Sequence, residues 1–416
     1  MKLNADITLF DLPDLRAQDF SGHNTRSSAL WKAFWDRTHE RIPVRFSCNP
    51  RILMLDPRYN VRGIRYEEYM RDPEVMGQAM LEFRYWTRFL LPGDHEKGLP
   101  NQWTVYVDFE NHYDAAWFGC PVHYRRGQVP DTTAILTDDN KRMLFDKGLP
   151  DPFAGEWAER CLHFLEVFEK KHEQGWTFMG LPVAVEKTAP FLGCDGLFTV
   201  AVSLRGATDL CLDLLTDPDY ARELLDYVYA ALTARMKAWR KRFDVPVPQE
   251  SFGSADDAIE MLSSEQYREF VLPLHKRFFD EFGAPGNRGI HLCGNAQRHF
   301  KTLHDEIDVM SFDTGFPVDF ALFRRELGPD VLISGGPRIP LFLDSDQAPL
   351  LGETERILRS GVLSGGRFIL QEANNLPPFA RLENCEAFYA LGKRLGRRER
   401  WDALQSAVTT HAALSS

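Results

Sequence analysis

The sequence predicts an α/β protein: one (β/α)8 barrel with an N-terminal helical extension and a long loop insertion. Three observations point there. From about residue 180 onward, short apolar strands alternate with helices, the pattern of a parallel sheet. The repeats are numerous enough to favour a closed barrel over an open sheet. The late strands also end in polar or glycine-rich residues, and barrel active sites are assembled from such strand ends. These ends are His291 and Cys293, then Asp313, then Gly335-Gly336-Pro337-Arg338, then Glu372, Asn374 and Asn375.

Residues 1–40 read as a helical extension, with Trp31, Phe34 and Trp35 at helical spacing. The barrel is expected over residues 41–416. Residues 42–47 give a first strand, and 67–91 a strongly helical segment. Residues 103–109 alternate as a strand that ends in Glu110-Asn111-His112. The stretch from about 110 to 160 is rich in Gly, Pro, Asp and aromatics and reads as the insertion. Strand 182–185 follows. Thr216-Asp217-Pro218 then opens a long helix to Phe243, with a capping residue and a proline in its first turn. Another helix covers 264–282. Strands at 289–293, 309–313 and 331–334 are each followed by a helix, and a strand at 368–370 precedes the last helix, from Glu383.

The composition excludes several classes. The chain has 416 residues, 44% hydrophobic and 26% charged, enough for a large core. A net charge of -11 argues against nucleic acid or an anionic membrane surface as a partner. Seven scattered cysteines form no disulfide framework and suit a reducing compartment. The start of the chain has no signal-peptide character, and no apolar run spans a bilayer. A cytoplasmic location and a small-molecule substrate are expected.

His291-Leu292-Cys293 carries the chemistry. An imidazole and a thiolate one residue apart point to the same side of an extended chain, and both suit zinc. With a carboxylate beside them, such a site keeps an open position where a substrate thiol would lose its proton. The alternative is a histidine hydrogen-bonded inside the barrel and a cysteine acting as a small hydrophobe. Asp313 is a candidate ligand, a general base or a group that orients His291, or else a helix N-cap. Arg338, after two glycines, suits a carboxylate or phosphate, or a surface ion pair. Glu372, Asn374 and Asn375 form a polar group at the next strand end, with a turn as the structural alternative. His112 stands among aromatics that suit a pocket wall or plain core.

Several segments together resemble one family. Asp195-Gly196-Leu197-Phe198-Thr199, Ser264 to Pro273, His291-Leu292-Cys293-Gly294-Asn295, and Leu376-Pro377-Pro378 with Leu382-Glu383-Asn384 occur in the order found in the uroporphyrinogen decarboxylase superfamily. The likeness covers roughly residues 40 to 398 and implies a (β/α)8 barrel, often dimeric. Of its branches, the chain looks most like the methyltransferases of the methylcobalamin:coenzyme M and cobalamin-independent methionine synthase type. That implies zinc on His291 and Cys293, with Asp313 or Glu372 completing the set. It also implies a corrinoid as methyl carrier and a corrinoid protein as partner. The sequence departs where that branch has Gly-Cys before the proline pair and this chain has Ala373-Asn374. The resemblance also places Asp256 and Asp257 toward the pocket, where a carboxylate pair suits acid/base work and a solvated turn is the alternative. The other branch implies a metal-independent decarboxylase. There Arg45, Arg51 or Arg338 would grip substrate carboxylates and Asp256, Asp257 or Asp313 would protonate the carbanion. A third reading is a non-catalytic tetrapyrrole or corrinoid binder.

Overall fold

The computed structural model describes residues 6–401. Its parallel strands are β1 Trp103–Val105, β2 Leu181–Val185, β3 Phe252–Ala255, β4 Arg288–Leu292, β5 Val309–Thr314, β6 Leu332–Gly335 and β7 Phe368–Leu370. β3 to β7 pair in sequence order, each parallel to the next. β1 pairs with β2. The expected first strand is an extended segment joined to β7 by a parallel bridge between Val44 and Leu370. Arg45 N donates to Leu370 O and Leu370 N to Pro43 O, each at 3.0 Å. Pro43 has no N–H to give, which limits this strand to a bridge. Eight parallel segments in this order make the (β/α)8 barrel. Two of its seams, between the first segment and β1 and between β2 and β3, carry no ladder among the described residues.

Helices cover the strands, and their ends follow local chemistry. Asp72 accepts from Glu74 N at 2.8 Å and Pro73 sits in the first turn, so the segment expected as one helix is two, Tyr66–Arg71 and Pro73–Phe89. Helix Pro218–Arg242 starts on Asp217 and ends in Arg240, Lys241 and Arg242, which suit its negative end. The segment 264–282 contains a π turn at Tyr267–Val271 just before Pro273, whose missing N–H interrupts regular helix bonding. The expected insertion contains the short helices Tyr113–Trp117 and Met143–Lys147 and a two-stranded hairpin, 122–123 with 131–132. Helix Glu156–Glu173 and helices Leu197–Arg205 and Ala207–Thr216 are not among the elements the sequence pattern predicts. The extension holds helix Ser21–Trp35, whose Phe34 packs with Leu332 and Ile369, on the strand face opposite Ile333 and Phe368.

Strand alternation sorts the side chains. Ile290, Phe312, Ile333 and Phe368 are lateral neighbours and are buried beneath the helices. The opposite face carries Gly253, Gly289 and Ser311 as one row. Ala255, His291, Asp313 and Ser334 form the row above it, nearer the C-terminal ends. Nothing larger than serine crowds the imidazole from below across β3 to β5. No helix among the described residues is long and apolar enough to cross a membrane.

Candidate metal centre

Register alone makes His291 and Asp313 neighbours on adjacent strands. His291 Nδ1 lies 3.0 Å from Asp313 Oδ2, and Nε2 lies 3.0 Å from Cys293 Sγ. Cys293 leaves β4 at a turn held by its own N–H, which donates to Asp257 Oδ1 at 2.6 Å. The turn continues through Gly294 at φ +68, where a Cβ would strike the Glu260 carboxylate. Glu260 in turn accepts from Asn295 N at 2.7 Å. Asp257, His291 and Cys293 thereby bring three ligand atoms within 4.8 Å of one another, all on half-buried side chains. An imidazole, a thiol and a carboxylate at this spacing fit zinc and leave a fourth position for a substrate.

Charge supports that donor set. Burial opposes the imidazolium, but Asp313 and Cys293 outweigh it and hold the His291 pKa up at about 11. Burial raises the Cys293 thiol, against the pull of His291. A cation bound here would displace a proton from each of His291 and Cys293. A further half-buried acid, Asp195, lies close enough to interact with Asp257 and His291. Burial, then Asp114, Asp257 and Asp256, push the Asp195 carboxyl up to about 8, while His291 pulls the other way. Asp195 lies in the segment that carries the family resemblance, which is the signal that could have singled it out.

The other expected residues fall in different places. Asp256, beside Asp257, points away from the cluster. It is fully buried and accepts from Phe198 N (3.0 Å), Thr199 N (2.7 Å) and Thr199 Oγ1 (2.8 Å), anchoring the start of helix Leu197–Arg205, with His275 Nε2 at 2.8 Å. Its environment is that of a structural anchor. Glu372, expected among the ligands, is not in the cluster. One of its oxygens accepts from Ser47 N at 2.7 Å and the other is buried without a hydrogen-bond partner among the described residues. Burial raises its carboxyl to about 8. Asn375 accepts from Ser47 Oγ at 3.0 Å and donates to Asn374 Oδ1 at 3.1 Å, and Asn374 holds a turn at φ +91. Arg45 donates through Nε to Gln371 Oε1 at 2.7 Å and reaches Asp313 through that amide. Its side chain also lines a cleft of about 520 Å³ between the first segment and β1, with Phe46, Trp103 and Thr104. Arg338 is half exposed and lies 3.5 Å from Glu353, over the Phe316 ring. His112 is buried against Trp157, and burial lowers its pKa to about 4.

A family model described as uroporphyrinogen decarboxylase (URO-D) matches residues 112–395, more than half of the chain. The chain belongs to the uroporphyrinogen decarboxylase family. Among curated proteins, a methylated-thiol–coenzyme M methyltransferase of Methanosarcina mazei is 32% identical over 163 residues. That match spans 37% of this chain and 38% of the relative's length. Among solved structures, a methyltransferase from Methanosarcina mazei superposes with a TM-score of 0.58 at 15% identity, covering 88% of this chain and 98% of its own. The structural likeness carries the barrel fold. In this URO-D family member the carboxylate that clusters with His291 and Cys293 is that of Asp257, after β3; of the two carboxylates expected there, Asp313 meets His291 through Nδ1 and Glu372 lies outside the cluster.

Proposed function

We propose that the chain is a zinc-dependent methyltransferase that activates a thiol and moves a methyl group between it and a corrinoid or another methyl donor. One observation carries the reading: Asp257, His291 and Cys293 converge at the C-terminal ends of neighbouring barrel strands. These three residues would hold the metal, and zinc supplies there the stabilisation that keeps a substrate sulfur as thiolate near neutral pH. Asp313 orients the imidazole through Nδ1, which leaves Nε2 for the cation. Asp195, kept neutral by burial, offers an O–H to the incoming substrate without adding charge to the site. The reading extends to a small-molecule thiol, a corrinoid protein as methyl carrier, a cytoplasmic location and a homodimer. The activity named for the Methanosarcina mazei relative, which is similar over part of its length, agrees with thiol chemistry.

The metal-independent decarboxylase has less support. Of the arginines it would use, Arg51 is 2.6 Å from Glu110, Arg338 is paired with Glu353, and Arg45 is engaged by the Gln371 amide. The test is methyl transfer from methylcobalamin to a panel of small thiols, followed by loss of the cobalt–methyl absorbance. The reading expects turnover that needs zinc and disappears in Cys293→Ser. Zinc-loaded protein that demethylates methylcobalamin with none of the thiols would count against it.

A further inference from the structure

We propose that Gln371 is a positioning residue for the Asp313–His291 pair: its amide clamps the Asp313 carboxylate that fixes the imidazole. The inference rests on the metal reading above for its consequence, though not for its geometry. Gln371 is fully buried just beyond β7. Its Oε1 accepts from Arg45 Nε at 2.7 Å, and its Nε2 donates to Asp313 Oδ1 at 2.5 Å. The other Asp313 oxygen meets His291 Nδ1, and His291 Nε2 meets Cys293. A single chain of contacts therefore runs from a guanidinium to the thiol.

The residue type follows from the chemistry. The position must accept from a cation at one end and donate to a carboxylate at the other, and a glutamine side chain does both. A glutamate would face Asp313 with a second negative charge. The backbone is pinned as well: Gln371 N donates to Gly335 O at 3.0 Å, and Gln371 O packs where a Cβ on residue 336 would have to go. The reach of the amide is thus set by the strand. A carboxylate held on both oxygens has one orientation toward His291, and outer contacts of this kind govern how well an imidazole ligates.

Zinc affinity is measured by competition with a chelating indicator for wild type, Gln371→Met, Asp313→Asn and the double variant. Gln371→Met is expected to weaken zinc binding about 10- to 100-fold. Added to Asp313→Asn it is expected to weaken it no further, because it acts through that carboxylate. A Gln371→Met affinity within about threefold of wild type, or a full additive loss in the double variant, would overturn the inference. Arg45→Met tests the far end of the same chain should Gln371→Met not fold: a loss in the same direction supports the inference and an unchanged affinity contradicts it. If wild type binds no zinc, the metal reading fails separately. The positioning role is then decided by the His291 Nδ1–H resonance in 15N–1H NMR. It is expected downfield in wild type and moved upfield in Gln371→Met, and an unmoved resonance overturns the proposal.

Discussion

Replacing Glu372 by Gln separates a buried carboxyl from a metal ligand. The side chain is fully buried, and burial lifts its pKa from 4.5 to about 8. The folded value lies above the unfolded one. Its contribution to stability is therefore whole below about 4.5 and is lost as pH rises through about 8. Each pH unit between these values is worth about 1.4 kcal/mol, so wild type should lose on the order of 4 kcal/mol between pH 5 and 9 from this group. Glu372→Gln cannot ionise and keeps an oxygen to accept from Ser47 N. Urea unfolding of both proteins across that pH range should show little difference at the acid end and a variant more stable by several kcal/mol at the alkaline end. Zinc binding should stay within about threefold of wild type. A pH-independent stability difference would refute the burial argument, and loss of zinc would return Glu372 to the ligand set.

Asp256→Ala should cost about 3–5 kcal/mol, because it removes a buried anchor from four polar partners, while zinc per folded molecule is retained; melting and metal content check the two halves. Arg235→Met should destabilise by a similar amount, since it leaves Asp114, 2.5 Å from the guanidinium, as an uncompensated buried charge. Gly294→Ala forces a side chain at φ +68 onto Glu260 and should cost about 1–3 kcal/mol, with weaker zinc binding because the Cys293 turn shifts. Zinc affinity should rise steeply from pH 6 to 9, since the cation displaces protons from a His291 held charged up to about 11 and from the Cys293 thiol. Calorimetry in buffers of different ionisation enthalpy counts those protons.

What the sequence made legible follows from what patterning encodes. β5 to β7 are largely apolar runs with polar ends, and β4 carries Ile290 and Leu292 ahead of a glycine turn, so both the strands and the His291, Cys293 and Asp313 ends are readable. β3 is not: Phe252-Gly253-Ser254-Ala255 has one large apolar residue and reads as a turn. With the strand unread, Asp256 and Asp257 looked equivalent. The end of β3 turns one of them into the wall and the other onto Cys293. Helix Glu156–Glu173 was hidden because it opens on Gly155 with no side-chain cap. Gln371 carries no motif, and its role exists only through lateral contacts between the first segment, β7 and β5. Its position beside a strand end makes Glu372 a candidate ligand in the sequence, but alternation sends it to Ser47.

The account stands most directly on the metal content of the purified protein, measured for wild type beside His291→Ala, Cys293→Ser and Asp257→Asn. It predicts about one zinc per wild-type chain, absent or sharply reduced in all three variants while their melting behaviour shows a folded barrel. Wild-type protein that holds no zinc even after incubation with it, or variants that keep their full complement, would contradict it.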